Sequence, residues 1–178
     1  LYLLFSFTML MIGGVLAMQI RAQLAGPGTQ FLDAGQYAQV FTMHGTVMMF
    51  LFAVPIFEAL AIFLLPSMLG ARELPFPRLS AFGFWSFALG GIFVCGSIFF
   101  GAAPNTGWFM YPPLATDKEY SGIGADIWLL GLSFIEVASI AAAVELIVGI
   151  MKCRAPGMRI NMMPLFAWYL LIVAGMIL

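Results

Sequence analysis

Charge is what this sequence has least of. Only 8% of its 178 residues are Asp, Glu, Lys or Arg, whereas soluble domains average about 25%. Hydrophobic residues make up 63% of the chain, and the mean hydropathy is +1.04. This balance excludes an ordinary soluble domain and indicates an integral membrane protein surrounded by lipid. We expect no nucleic-acid partner.

Cysteine and histidine are also scarce. The two cysteines, Cys95 and Cys153, lie on different hydrophobic segments and have no CxxC spacing, which is typical of packing residues rather than of a redox pair. The only histidine is His44, near the start of the apolar run "QVFTMHGTVMMFLFAVPIFEALAIFLLP". A lone histidine in hydrocarbon needs either a hydrogen-bond partner or a metal.

Long apolar runs are abundant and predict the fold class. A bilayer core of about 30 Å needs about 20 helical residues. Five stretches approach or exceed that length: residues 1–20, 41–65, 80–103, 124–151 and 164–178. We predict an all-α polytopic transmembrane helix bundle over residues 1–178, a single domain. The first and last spans are expected to be incomplete, as in a fragment of a longer chain.

The basic residues predict an orientation. Five of the seven lie in the connections "GARELPFPR" and "KCRAPGMR", and short loops rich in Lys and Arg stay on the cytoplasmic side. The connections at 22–40 and 104–123 should therefore face outward. His44 opens the second span, so we expect it in the outer half of the membrane.

The four clear cases of ionisable residues inside predicted spans are His44, Glu58, Glu136 and Glu145. Such residues are functional candidates by default. His44 is either an interhelical hydrogen-bonding residue or a ligand of a metal or haem. Each glutamate is either a carboxylic acid hydrogen-bonded to a neighbouring helix or a station in a proton path.

Several motifs together resemble one family. "IRAQLAGPG", "MHGTVMMF", "LPSMLGARELPFPRLSAFGFW", "TGWFMYPPL" and "RAPGMRINMMPLFAW" occur in this order. They resemble the catalytic subunit of the haem–copper oxidases, the family of cytochrome c oxidase subunit I, in a divergent bacterial branch. The resemblance covers essentially the whole chain and implies the first five helices of a twelve-helix subunit.

The resemblance implies a haem site around the second helix. His44 matches an axial ligand of the low-spin haem, and Arg21 matches an arginine at the edge of that haem. Tyr37 matches a tyrosine near the propionates, and Met48 matches a residue packed on the macrocycle. Gly45 is small enough to let a large planar group approach the helix.

Two outer-loop residues complete this set, and other ligands are missing. Trp108 and Tyr111 match the family's GWxxYPP loop, where the tryptophan lies near haem propionates. The resemblance implies haem A at the low-spin site. The second axial histidine, the high-spin haem ligand and the copper ligands come from later helices in the family, so this segment cannot reduce oxygen alone.

The resemblance also implies a proton path, with departures. Glu73 stands where the family commonly has the aspartate that opens a proton channel, and Ser139 matches a serine along that channel. Ser80 and Ala81 stand where the family has asparagines, a departure from the pattern of this channel. Glu58 and Glu136 stand where the commoner branch has uncharged residues, so they are proton-path candidates without an inherited role.

The implied function is terminal respiratory oxidation. Electrons would pass from cytochrome c through the low-spin haem to an oxygen-reducing haem–copper centre, coupled to proton translocation across the bacterial inner membrane. The expected partners are a copper-containing subunit that receives the electrons, subunit III and cytochrome c. Alternatives are a quinol oxidase or nitric oxide reductase of the same superfamily, and a non-redox membrane carrier. "RELPFPR" and "GWFMYPPL" fit the oxidases better than the reductases.

Overall fold

The computed structural model describes residues 1–28 and 31–178. Its five helices are α1 (Tyr2–Gln23), α2 (Ala34–Leu69), α3 (Pro77–Gly96), α4 (Lys118–Lys152) and α5 (Leu165–Ile177). The described residues contain no strand. The predicted all-α helix bundle is therefore confirmed. By length and composition, α1 to α4 can each cross a membrane.

The helix bounds differ from the predicted spans for local reasons. α2 begins seven residues earlier than the predicted 41, because Asp33 accepts a hydrogen bond from the N–H of Gln36 at 2.7 Å, and the Gln36 side chain accepts one from Asp33 N–H at 3.2 Å. This reciprocal cap extends the helix into the polar connection. α2 ends where Gly70 takes a positive φ of 67°. α1 is also longer than the predicted 1–20, with 22 residues.

The α-helical geometry of α2 is interrupted at its centre. Val47–Ala53 forms a π-helical segment, and Pro55 lies two residues after its end. Proline has no N–H to donate, and its ring clashes with the carbonyl four residues earlier. A wider π turn before Pro55 relieves that clash while keeping the helix continuous. His44 lies before this segment and Glu58 after it.

The bundle has two ends, named here by one residue at each. The Trp108 end carries the connections 24–33 and 97–117, and the Arg72 end carries the connections 70–76 and 153–164. One buried apolar cluster, including Met43, Leu51 and Trp128, joins α1 to α4 in the part of the bundle nearer the Trp108 end. A second, including Leu65, Leu146 and Ala167, joins α2, α4 and α5.

The tightest helix pair is α3 with α4, and glycine makes it possible. A side chain at Gly90 would lie 2.6 Å from the carbonyl oxygen of Gly131. Because the obstacle is backbone, it cannot move aside as a flexible side chain would. Ser86 Oγ donates a hydrogen bond to the carbonyl of Phe134 at 2.8 Å across the same contact. Small residues that allow backbones to approach, with a polar bond between helices, are typical of packing in membranes.

We expect Gly90→Ala to separate α3 from α4, because the added Cβ would lie 2.6 Å from the carbonyl oxygen of Gly131. Overpacking a close contact costs about 1–3 kcal/mol, so the thermal midpoint of the detergent-solubilised complex should fall. Gly14→Ala is the matched control, because nothing lies within 4 Å of a side chain at that position. An equal effect of both substitutions would contradict the close-packing argument.

Candidate functional site

His44 is held by a bond from the neighbouring helix. Its Nδ1 lies 3.0 Å from the carbonyl oxygen of Gly13 on α1. A carbonyl can only accept, so Nδ1 carries the hydrogen, and in a neutral imidazole Nε2 then keeps its lone pair. This arrangement is typical of metal-ligating histidines, whose other ring nitrogen donates to a carbonyl or carboxylate.

Gly13 lets α1 come close enough for that bond. A side chain at this position would lie 2.5 Å from Met48 Sδ and 3.4 Å from Val47 Cγ1. A larger residue would therefore require either the flexible Met48 side chain to move or α1 to shift away from α2. Met48, a predicted site residue, packs in the structure against this glycine.

Trp108 covers the helix next to His44. Its indole fills the space that a side chain at Gly45 would need, so the gap left by this glycine is used by tryptophan. The ring also meets Phe50 edge-on, with centroids 5.8 Å apart, and lies 4.1 Å from the ring of Phe109. The structure thus brings together His44, Gly45 and Trp108.

Three hydrogen bonds hold α2 to its neighbours: two to the connection 97–117, which contains Trp108, and one to α4. The N–H of Gly107 donates to Thr42 Oγ1 at 2.9 Å, and Trp128 Nε1–H donates to Thr46 Oγ1 at 2.9 Å. Gln39 Nε2 donates to the carbonyl of Ala103 at 3.1 Å. None of these residues was predicted from the sequence to belong to the site. The only signal was a pair of threonines four apart in an apolar helix, which places both on one face.

The other predicted haem residues are less closely grouped. Arg21 is exposed, about 12 Å along α1 from Gly13 at ~1.5 Å per residue. Tyr37 is half-buried, stacks on Phe41 with ring centroids 6.3 Å apart, and lines a cavity of ≈ 310 Å³ with Gln23 and Asp33. Tyr111 is 68% exposed and stacks on Phe109 at 5.4 Å.

Three of the proton-path candidates share one cavity. Glu58, Glu136 and Ser139 line a space of ≈ 300 Å³ between α2, α4 and α5. Glu58 Oε1 is buried, and it has no hydrogen-bond partner among the described residues. Ser133, three residues before Glu136 on α4, donates to the carbonyl of Leu129 at 2.8 Å.

The fourth candidate, Glu73, lines a different cavity. This space of ≈ 710 Å³ lies at the Arg72 end, and its lining includes Tyr2, Ser80 and Glu145. Glu73 itself is exposed. Ser80 Oγ donates to Glu145 Oε2 at 2.5 Å, a pairing across 65 residues that no sequence pattern indicated.

The residues around His44 fit one coordination position of a haem iron. The imidazole has a free Nε2 and a fixed ring, and its surroundings are apolar and aromatic. A bis-histidine haem needs two histidine ligands, and His44 is the single histidine of this sequence. The second ligand would have to come from another part of the subunit. Among the described residues, no group of three or more His, Cys, Asp or Glu side chains gathers into a metal site. Any copper centre would need ligands from elsewhere.

Comparison with known proteins agrees with this geometry. The sequence model of a family described as cytochrome c and quinol oxidase polypeptide I matches residues 1–178. Cytochrome c oxidase subunit 1 of Corynebacterium efficiens is 41% identical over 175 residues, which cover 98% of this chain and 30% of that protein. A probable cytochrome c oxidase subunit 1-alpha of Streptomyces avermitilis is 42% identical over 180 residues, with 100% and 31% covered.

The matched relatives are about three times as long as this chain. A probable cytochrome c oxidase subunit 1-beta of Nocardia farcinica is 41% identical, and this chain spans 30% of its length. The chain thus spans about a third of the length of the relatives it matches. Since the family match covers every residue, the chain belongs to the cytochrome c and quinol oxidase polypeptide I family, within the haem–copper oxidases.

Proposed function

We propose that this chain is part of the catalytic subunit of a terminal respiratory oxidase, and that His44 is an axial ligand of its low-spin haem. The observation that carries the proposal is the hydrogen bond from His44 Nδ1 to Gly13, because it leaves Nε2 free for iron. The whole subunit passes electrons from cytochrome c to an oxygen-reducing haem–copper centre and translocates protons. Family membership supports that wider activity.

The residues of this chain act on the haem by orienting and shielding it. When bound, haem A supplies a reversible one-electron carrier at this position. The bond to Gly13 fixes the orientation of the His44 ring. It also makes Nε2 more basic, and therefore a stronger ligand for the iron. Trp108 keeps water from α2 beside Gly45. Met48 packs against α1 at Gly13.

Polar groups at the Trp108 end act at the haem edge. Arg21 contributes positive charge there, which favours the reduced haem. Tyr37 and Tyr111 lie toward the propionates. These roles rest on the family resemblance, and the exposed position of Arg21 and Tyr111 agrees with contacts to groups outside this segment.

Proton uptake begins at the Arg72 end in this proposal. Glu73 is a surface carboxyl on the cavity of ≈ 710 Å³. Glu58, Glu136 and Ser139 line the cavity of ≈ 300 Å³ between α2, α4 and α5. Carboxyls and hydroxyls in such a space can pass protons through water. The unpartnered Oε1 of Glu58 is available to such water.

The proposed setting is the bacterial inner membrane, with His44 in the outer half. Five of the seven basic residues lie in the two connections of the Arg72 end or directly beside them, which favours a cytoplasmic position for that end. The partners are the copper-containing subunit that receives electrons, subunit III and cytochrome c. The second haem and the copper are bound by later parts of the subunit.

A quinol oxidase is the second candidate function. The matched family is described by both cytochrome c and quinol oxidases, and the residues around His44 serve either donor. Purifying the complex and testing its companion subunit for copper distinguishes them, because the cytochrome c branch needs that metal to receive electrons.

We expect His44→Ala to abolish the low-spin haem band in the reduced-minus-oxidised optical spectrum of the intact complex. The reason is loss of one iron–nitrogen bond, which no other histidine in this chain can replace. Leu60→Ala, an exposed position farther along α2, is the matched control and should keep the band. An unchanged band in an assembled His44→Ala complex would make His44 a buried hydrogen-bonding residue only.

We expect Glu58→Gln to slow proton-coupled turnover by on the order of 10²-fold, the size of effect seen when a positioned proton-transfer group is removed. The amide has the same shape but cannot take up and release a proton. The optical spectrum should stay unchanged, since Glu58 lies beyond the π segment from His44. Turnover at the wild-type rate, measured as oxygen consumption, would leave Glu58 with a packing role.

A further inference from the structure

Glu145 is the most deeply buried ionisable side chain of the cavity at the Arg72 end. It is 1% exposed and lies on α4, inside a segment long enough to span a membrane. The cavity of ≈ 710 Å³ reaches it from the side of Glu73 and Arg72. A carboxyl buried this far in a membrane helix is costly to keep, so it is a functional candidate.

Both oxygens of Glu145 are held by neutral donors from the start of α3. Ser80 Oγ lies 2.5 Å from Oε2, and the N–H of Phe76 donates to Oε1 at 3.3 Å. The backbone N–H can only donate, so it holds Oε1 in either protonation state. The hydroxyl of Ser80 can donate or accept.

This geometry suits a carboxyl that gains and loses a proton. When Glu145 is ionised, Ser80 donates to Oε2. When Oε2 takes a proton, its O–H can donate to Ser80 Oγ, and Ser80 turns its own hydrogen toward the cavity. Both states keep their hydrogen bonds without movement of α3 or α4. A fixed structural acceptor would need only the first state.

We propose that Glu145 is a proton-storing carboxyl, loaded from water in the Arg72-end cavity by way of Ser80. A hydronium ion in the cavity gives its proton to the carboxylate, which leaves water and the carboxylic acid. Release of the proton to the next acceptor restores the carboxylate. The inference rests on the proposed function, because it needs a subunit that takes up protons.

The other groups that line the cavity around Glu145 come from α1, α2, the connection 70–76 and the start of α3. Tyr2, from α1, lines the cavity. The connection 70–76 contributes Arg72 and Glu73 to the lining, and both residues are exposed. The lining that α2 contributes beside Tyr2 is apolar apart from Ser67: Ala59, Ile62, Phe63 and Pro66. Tyr2 and Ser67 are thus the polar side chains that α1 and α2 add to the cavity.

The test uses infrared difference spectra of the intact complex between two pH values, which need no electron transfer. Wild type should show a carboxylic C=O band that Glu145→Gln removes. Glu119→Gln, an exposed glutamate at the start of α4, is the matched control and should keep the band. Ser80→Ala should shift the band, because the carboxyl loses its hydroxyl partner. Proton uptake during oxygen reduction should slow on the order of 10²-fold in Glu145→Gln.

Each other outcome overturns the inference. A band unchanged in Glu145→Gln, no such band in wild type, or proton uptake at the wild-type rate would make Glu145 a structural acceptor for Ser80 and Phe76. If Glu145→Gln does not assemble, Ser80→Ala decides, since an unshifted band in that variant also refutes the pairing. A failure of the haem assignment would appear separately, in the optical spectrum of His44→Ala.

Discussion

The bilayer interior contains almost no water, so polar side chains inside it must find partners on the protein itself. That constraint organises the helices described here. Four bonds between helices in the described part of the chain join His44 to Gly13, Trp128 to Thr46, Ser86 to Phe134 and Ser80 to Glu145. Each joins a different pair of elements or a different level of the bundle. Together they hold α1, α3 and α4 around the long helix α2 and its loops.

These bonds depend on how closely the backbones approach. Lipid tails are as apolar as leucine, so helices in a membrane gain little from hydrophobic burial and depend on packing. Gly13 brings α1 against Met48, which sets the reach of the His44 bond. Gly90 and Gly131 do the same for α3 and α4. Position-specific small residues therefore serve the functional site as well as the fold.

The π segment Val47–Ala53 separates two kinds of chemistry on one helix. Before it, His44 has one satisfied nitrogen and one free nitrogen, as a metal ligand requires. After it, Glu58 has a buried oxygen with no partner among the described residues. Pro55 forces the wider turn and so helps to set which face of α2 carries the glutamate. Oxygens that the fold leaves unsatisfied, or satisfies in either protonation state as at Glu145, are the places where protons can be held.

The sequence by itself determined the membrane class, the five helices and the candidate ligand, because apolar length and a lone histidine are visible without coordinates. Its motifs also indicated the family. It gave the helix limits only approximately, since the cap at Asp33 and the π turn depend on local hydrogen bonds. Only the tertiary structure decided which carbonyl holds His44, that Trp108 fills the gap at Gly45, and that Ser80 meets Glu145. Those contacts join residues 31 to 65 positions apart, and spacing along one helix carries no information about what a different helix places opposite it.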